Sequence, residues 1–208
     1  MKGDTHVVTD TADAKPEKGM LSREEYFLNL ASGESISLVK EKIGEPDSIS
    51  KYDGSFFSER PPTVTYQYKD LGSILFTSKN SEPQFVERVM PITKQSDGLS
   101  LVEMQLNSEG LTLQYIAKSY YQFDELAEEK LDLFAAKVWS SKDAEDPYTI
   151  DAVSWLCKAL AKSNNPRYKS LLGKIASGAA SKKLKKYAAD SFQLLPSEGV
   201  PQYIPSGQ

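Results

Sequence analysis

The stretch S-L-V-K-E-K-I-G-E-P-D-S-I-S, residues 37–50, decides how the first half of the chain is read. Helix-forming residues run into Gly44-Glu45-Pro46-Asp47 and then into a β-like run. Ser37 is a helix N-cap candidate, and Val39 and Ile43, four apart, share one helix face. Gly44 stands where a helix ends on a left-handed residue, Pro46 cannot continue the helix, and Asp47 can bond back to the turn backbone. A phosphate loop needs its glycines before a helix, where N–H groups are exposed. Here the glycine follows the helix, where carbonyls are exposed. The turn is architecture: a short helix feeding a sheet.

Working outward, S-R-E-E-Y-F-L-N-L-A-S (residues 22–32) reads as an earlier helix. Ser22 and Glu25 form a capping-box pattern, Tyr26, Phe27 and Leu30 give the apolar stripe, and Gly33 breaks it. Downstream, S-I-S-K-Y (48–52) leads into an insertion, D-G-S-F-F-S-E-R-P-P (53–62). T-V-T-Y-Q-Y (63–68) then alternates Val64, Tyr66 and Tyr68 with polar residues, the period-two signature of a half-buried strand. Asp70-Leu71-Gly72 turns the chain, S-I-L-F-T (73–77) pairs back as a hairpin, and Q-F-V-E-R-V-M-P-I (84–92) adds a further strand. Residues 20–95 therefore read α-α-β-β-β, an α+β domain with two helices packed on a small antiparallel sheet.

From Gly98 the periodicity becomes helical. F-D-E-L-A-E-E-K-L-D-L-F-A-A-K-V-W (123–139) places Phe123, Ala127, Leu131, Phe134 and Val138 on one face. Asp146-Pro147 is an N-cap followed by proline at the first helical position, and Ile150, Val153, Cys157 and Leu160 follow at spacings of three and four. Asn165-Pro166 repeats that pattern ahead of Tyr168, Leu171, Leu172 and Ile175, with Gly178 as the stop. Ser181 opens the last helix, with Leu184, Tyr187, Ala188 and Leu195 inward and Pro196 ending it. Short amphipathic helices on short turns predict an all-α helical-hairpin domain over residues 98–196, with a mobile tail over 197–208. Two units should meet near residues 93–98.

The chain of 208 residues is 39% apolar and 26% charged, the balance of an ordinary water-soluble domain, and no apolar run reaches the roughly 18 residues of a membrane span. Its net charge of -4 gives no general pull towards nucleic acid. The single cysteine, Cys157, excludes an internal disulfide and a cysteine metal cluster, and lies mid-helix on the apolar face as a packing thiol. The single histidine, His6, lies in a polar tail over residues 1–19 that is too poor in apolar groups to order itself. No cofactor, metal or catalytic residue is expected on this reading. Two origins fit the tail: a native cytosolic start, or a mature secreted chain whose signal has been removed.

Residues 33–77 resemble the small-protein-A (BamE-like) domain of bacterial outer-membrane lipoproteins. The resemblance rests on G-E-S-I-S-L-V-K-E-K-I-G-E-P-D, then T-Y-Q-Y, then L-G-S-I-L-F. It covers roughly a quarter of the chain; the insertion at 53–62 departs from the pattern, the cap lacks the usual Met-Thr pair, and no functional residue carries over. Residues 148–195 more weakly resemble HEAT-type α-hairpin repeats through D-A-V-S-W-L-C-K-A-L, N-P-R-Y-K-S-L-L-G-K-I and K-L-K-K-Y-A-A-D-S-F. Together the resemblances imply a periplasmic protein, in its anchored form an outer-membrane lipoprotein with the signal removed; a cytoplasmic protein is the alternative.

Two stretches are candidate partner-binding sites. The loop S-F-F-S-E-R-P-P offers Phe56, Phe57 and Arg60, an apolar tip beside a cation that can anchor a partner or fold over its own sheet. Residues 155–190 carry nine basic side chains against one acidic, including Lys182, Lys183, Lys185 and Lys186, while residues 97–146 carry eleven acidic against four basic. That basic face can attract an acidic protein or an anionic membrane surface, or complement the acidic helices of its own chain; no nucleic-acid motif accompanies it. The acidic run at Asp124, Glu125, Glu128, Glu129 and Asp132 reads as a solvated helix face, and Tyr66, Tyr68, Tyr120 and Tyr121 as packing. The leading expectation is a non-catalytic envelope protein that binds other proteins. Its rivals are an inhibitor or immunity-type protein that blocks a partner enzyme through the 53–62 loop, and an enzyme using carboxylates or tyrosines only.

Overall fold

A computed structural model of the chain describes residues 21–54, 61–197 and 199–205. Helix α1 (Arg23–Leu28) starts on a complete capping box: the Ser22 hydroxyl accepts from the Glu25 N–H, and the Glu25 carboxylate accepts from the Ser22 N–H at 2.7 Å. Helix α2 (Ile36–Ile43) buries Val39 and Ile43, but its cap is Ser35, two residues ahead of the expected Ser37. The cause is long-range. The Gly33 N–H donates to the Val86 carbonyl and the Val86 N–H to the Glu34 carbonyl, so residues 33–34 are held as a strand-like edge until the helix can begin. Gly44 ends α2 at φ 92°, where a side chain is strained. Asp47 does not close its own turn; its carboxylate accepts the Lys69 N–H at 2.8 Å, stapling it to the hairpin opposite.

The sheet has four strands, not the three expected: β1 (Ser48–Tyr52), β2 (Thr63–Tyr68), β3 (Gly72–Lys79) and β4 (Glu82–Pro91), antiparallel and in sequence order. Residues 48–52 qualify because they pair in register with β2, Ser48 opposite Gln67 and Tyr52 opposite Thr63. The alternation predicted for β2 holds: Val64, Tyr66 and Tyr68 are buried and pack with Ile74 and Phe76 of β3 and Val86 and Val89 of β4 under α1 and α2. Burial pushes the Tyr68 hydroxyl up to about 12, and that hydroxyl donates to the Gly44 carbonyl.

The second half is helical, and residues 110–195 contain no strand. Helices α3 (Leu99–Leu106), α4 (Gly110–Tyr121), α5 (Glu128–Ser140) and α6 (Pro147–Lys162) are followed by a 3-10 turn (Pro166–Tyr168), α7 (Lys169–Gly178) and α8 (Lys182–Leu194). The predicted caps at Asp146, Asn165 and Ser181 all accept from backbone N–H groups two or three residues on. The helix expected from Phe123 begins only at Glu128, because the Phe123 N–H still donates to the Tyr120 carbonyl and its ring packs on Tyr120. A second apolar cluster, from Val102 to Leu195, fills the space between these helices. Helix α3 bridges the two clusters: Val102 and Leu106 belong to the helical one, Leu101 and Met104 pack on the sheet one.

The segment expected to be mobile from Ser197 is tied down over 199–205. The Tyr203 N–H donates to the Arg167 carbonyl at 2.8 Å, Gln202 bonds Pro166 and Ser170, and the Tyr203 ring packs against Tyr168. Among the described residues no helix is long and apolar enough to cross a membrane.

Candidate functional site

Phe56, Phe57 and Arg60 lie outside the described residues, as does His6. The basic residues of the second half are all placed, and the structure divides them. Arg167 grips Asp132 with two parallel bonds of 3.2 and 3.1 Å, and the Tyr168 hydroxyl donates to the same carboxylate. Lys169 caps the end of α8 by donating to the Leu195 carbonyl. Lys162 pairs with Asp124 at 3.0 Å and donates to the Tyr121 carbonyl. These cations complement acidic residues and helix ends of their own chain, so the 124–132 run is not merely solvated: Asp124, Glu128 and Asp132 each hold a basic partner.

The first turn of α8 behaves differently. Lys182 and Lys183 occupy the end of the helix where the macrodipole favours acids, at a cost of about 0.3–1 kcal/mol each. Lys183 is compensated by Asp151 of α6 at 2.6 Å. Lys182, Lys185 and Lys186 form no ion pair with the described residues. Asp151 sits at the junction of three helices, also accepting from Gln114 of α4 at 2.6 Å. Burial works to raise its pKa, but the bonds from Lys183 and Gln114 outweigh it and hold the carboxylate below its ordinary range.

Beside that junction the structure builds an aromatic and cationic array that sequence reasoning missed. The Lys158 ammonium lies 3.9 Å from the centre of the Trp155 ring and 4.4 Å from that of Tyr187. Trp155 packs on Tyr121 at 5.1 Å, and Lys118 and Lys162 stand over Trp155 and Tyr121. Within each helix the signal was present: Trp155, Lys158 and Lys162 fall at spacings of three and four on α6, Lys118 and Tyr121 on α4, Lys183 and Tyr187 on α8. What no single helix could show is that α4, α6 and α8 present these residues together. Tyr187, expected inward, is only half-buried because it covers Lys158.

The other tyrosines singled out from the sequence, Tyr66, Tyr68 and Tyr120, and the cysteine are packed in the two cores. Tyr66, Tyr68 and Tyr120 are buried, and the Tyr120 hydroxyl bonds Gln105 and Asp97, which with burial pushes its pKa far up. Cys157 has no exposed surface, and burial pushes its thiol up to about 12, far from the thiolate a nucleophile needs. Among the described residues no three His, Cys, Asp or Glu side chains cluster as metal ligands. Comparison with protein-family models, with curated proteins and with solved structures finds no match.

Proposed function

We propose that this chain is a non-catalytic protein-binding module of the bacterial envelope whose α4–α6–α8 face receives an acidic segment of another protein. One observation carries the reading: Lys158 held between Trp155 and Tyr187, with Lys118 and Lys162 over the neighbouring rings of Trp155 and Tyr121. A cation laid on aromatic rings keeps its charge while losing mobility, so it meets a carboxylate at low entropic cost. An acidic protein fits better than a lipid surface because the rings lie under the cations instead of projecting for insertion. The α-hairpin, HEAT-like reading of residues 148–195 supports a partner-binding role, and the BamE-like pattern of residues 33–77 supports the periplasmic placement.

The test is titration of the full chain, in a Trp139→Phe background that leaves Trp155 as the reporter, with a poly-glutamate peptide and separately with anionic phosphatidylglycerol vesicles. The expected result is a saturable Trp155 response to the peptide. It should be weakened at least about tenfold by Lys158→Gln combined with Lys182→Gln, Lys185→Gln and Lys186→Gln, and by raising salt. A response to vesicles alone would replace the protein partner with a membrane. No response to either, or one indifferent to these lysines, overturns the proposal.

A further inference from the structure

A cleft of about 800 Å³ opens where the sheet meets the helical half. Its walls come from the loop after α1, from β4, from the α3–α4 connection, from Lys137 of α5 and from the start of α6. Arg88 of β4 lines it. The Arg88 Nε–H is buried and has no hydrogen-bond partner, and the guanidinium makes no ion pair with the described residues. An unmet buried donor on a charged group is costly, which makes this atom conspicuous.

Two further donors line the same space. The Lys137 ammonium forms no hydrogen bond or ion pair with the described residues, and burial lowers its pKa more than the nearby Glu109 carboxylate raises it. Helix α4 opens at Glu109 without a side-chain cap, so the N–H groups of Gly110, Leu111 and Thr112 lack intrahelical acceptors at the positive end of the helix dipole. Three acids also line the cleft. Asp146 is already occupied, accepting the Thr149 N–H at 2.7 Å. Glu87 and Glu109 remain, and they limit what fits: a ligand must bring its negative charge in one compact group and offer hydroxyl or amino donors elsewhere.

We propose that this cleft binds a small molecule through a compact oxyanion, a phosphate or a carboxylate, gripped by Arg88, Lys137 and the N-terminus of α4. The site is separate from the α4–α6–α8 face, and neither reading depends on the other. Arg88 supplies a planar fork suited to two oxygens, Lys137 a point charge, and the helix its backbone N–H groups.

The experiment is an amide NMR titration of the full chain with inorganic phosphate and, separately, with acetate. We expect saturable shifts of the Gly110, Leu111 and Thr112 amides with at least one anion, and the one that saturates at lower concentration names the headgroup. Removing a charge-assisted bond should weaken binding by about tenfold or more in each of Arg88→Gln and Lys137→Gln. Arg88→Lys keeps the charge and should fall between wild type and Arg88→Gln, and Lys137→Gln, at a half-exposed helix position, carries the test where Arg88→Gln does not fold. Saturation by neither anion overturns the site. So do shifts that persist unchanged in Lys137→Gln and Arg88→Lys, since they would place the anion elsewhere, including the α8 lysines.

Discussion

At the residue scale, chemistry follows burial. Cys157 lies among Val153, Leu156 and Leu160 with no exposed surface and a thiol pKa pushed up to about 12. It should therefore resist a thiol reagent at pH 8 in the folded chain and react fully in denaturant. Cys157→Ser, which buries a hydroxyl where a thiol packs, should lower stability by about 1–3 kcal/mol in urea titration while leaving peptide binding unchanged. Asp151 gives a pH prediction. Its folded pKa is depressed, so its contribution to stability is present above the unfolded value of about 3.9 and is lost as pH falls through the lower folded value. Lys183→Gln removes a principal cause of that depression. The variant should be less stable than wild type at neutral pH, and the gap should close as the solution is acidified through the carboxylate range. Urea midpoints at several pH values decide it, and a gap that stays constant to low pH would sink the assignment.

At the element scale, two features carry more than their length suggests. Gly72 begins β3 at φ 128°, and a Cβ there would stand 2.3 Å from the Met90 carbonyl oxygen on the neighbouring strand. Both the backbone conformation and the backbone-to-backbone contact resist relief, so Gly72→Ala should cost about 2–5 kcal/mol. Gly98→Ala, where nothing lies within 4 Å of the added carbon and φ is ordinary, serves as the control and should be nearly neutral. The segment 199–205 is the second feature. Tyr203 covers Tyr168 and sits under Arg167, and Pro205 is buried beside Trp139. Tyr203→Ala should lower stability by about 1–2 kcal/mol and speed amide exchange around Tyr168, in contrast to the near-zero effect expected of a free tail.

At the scale of the whole molecule, the question is whether the sheet half and the helical half unfold together. Helix α3 contributes to both apolar clusters, the Gln105 side chain donates to the Ile92 carbonyl at the end of the sheet, and the Tyr120 hydroxyl ties Gln105 and Asp97 into one buried network. Breaking such a network leaves buried polar groups unmet on both sides. Heating should therefore give one transition: tryptophan fluorescence, which reports the helical half through Trp139 and Trp155, should coincide with loss of amide protection in β2 and β3. Tyr120→Phe should destabilise both halves by about 1–3 kcal/mol. Midpoints that separate between the two probes would show that the halves are independent.

What the sequence by itself determined is what local interactions encode. The caps at Ser22, Asp146, Asn165 and Ser181 are bonds across two or three residues, so residue type and spacing suffice to place them. The inward set Val64, Tyr66, Tyr68 follows from the two-residue period of a strand, and Val153, Cys157, Leu160 from the turn of a helix. The tertiary structure alone decided whatever depends on residues far apart in the chain meeting in space. Ser35 displaced Ser37 as a cap because Val86 holds Gly33 and Glu34 in an extended edge. Asp47 turned to Lys69, and the last described residues docked on Arg167 and Tyr168. The same holds for both sites: Lys158 needs the rings of Trp155 and Tyr187 brought from two helices, and Arg88, Lys137 and the start of α4 come from a strand and two helices. A side chain's charge is a property of the residue, but the partner that meets it is a property of the packing.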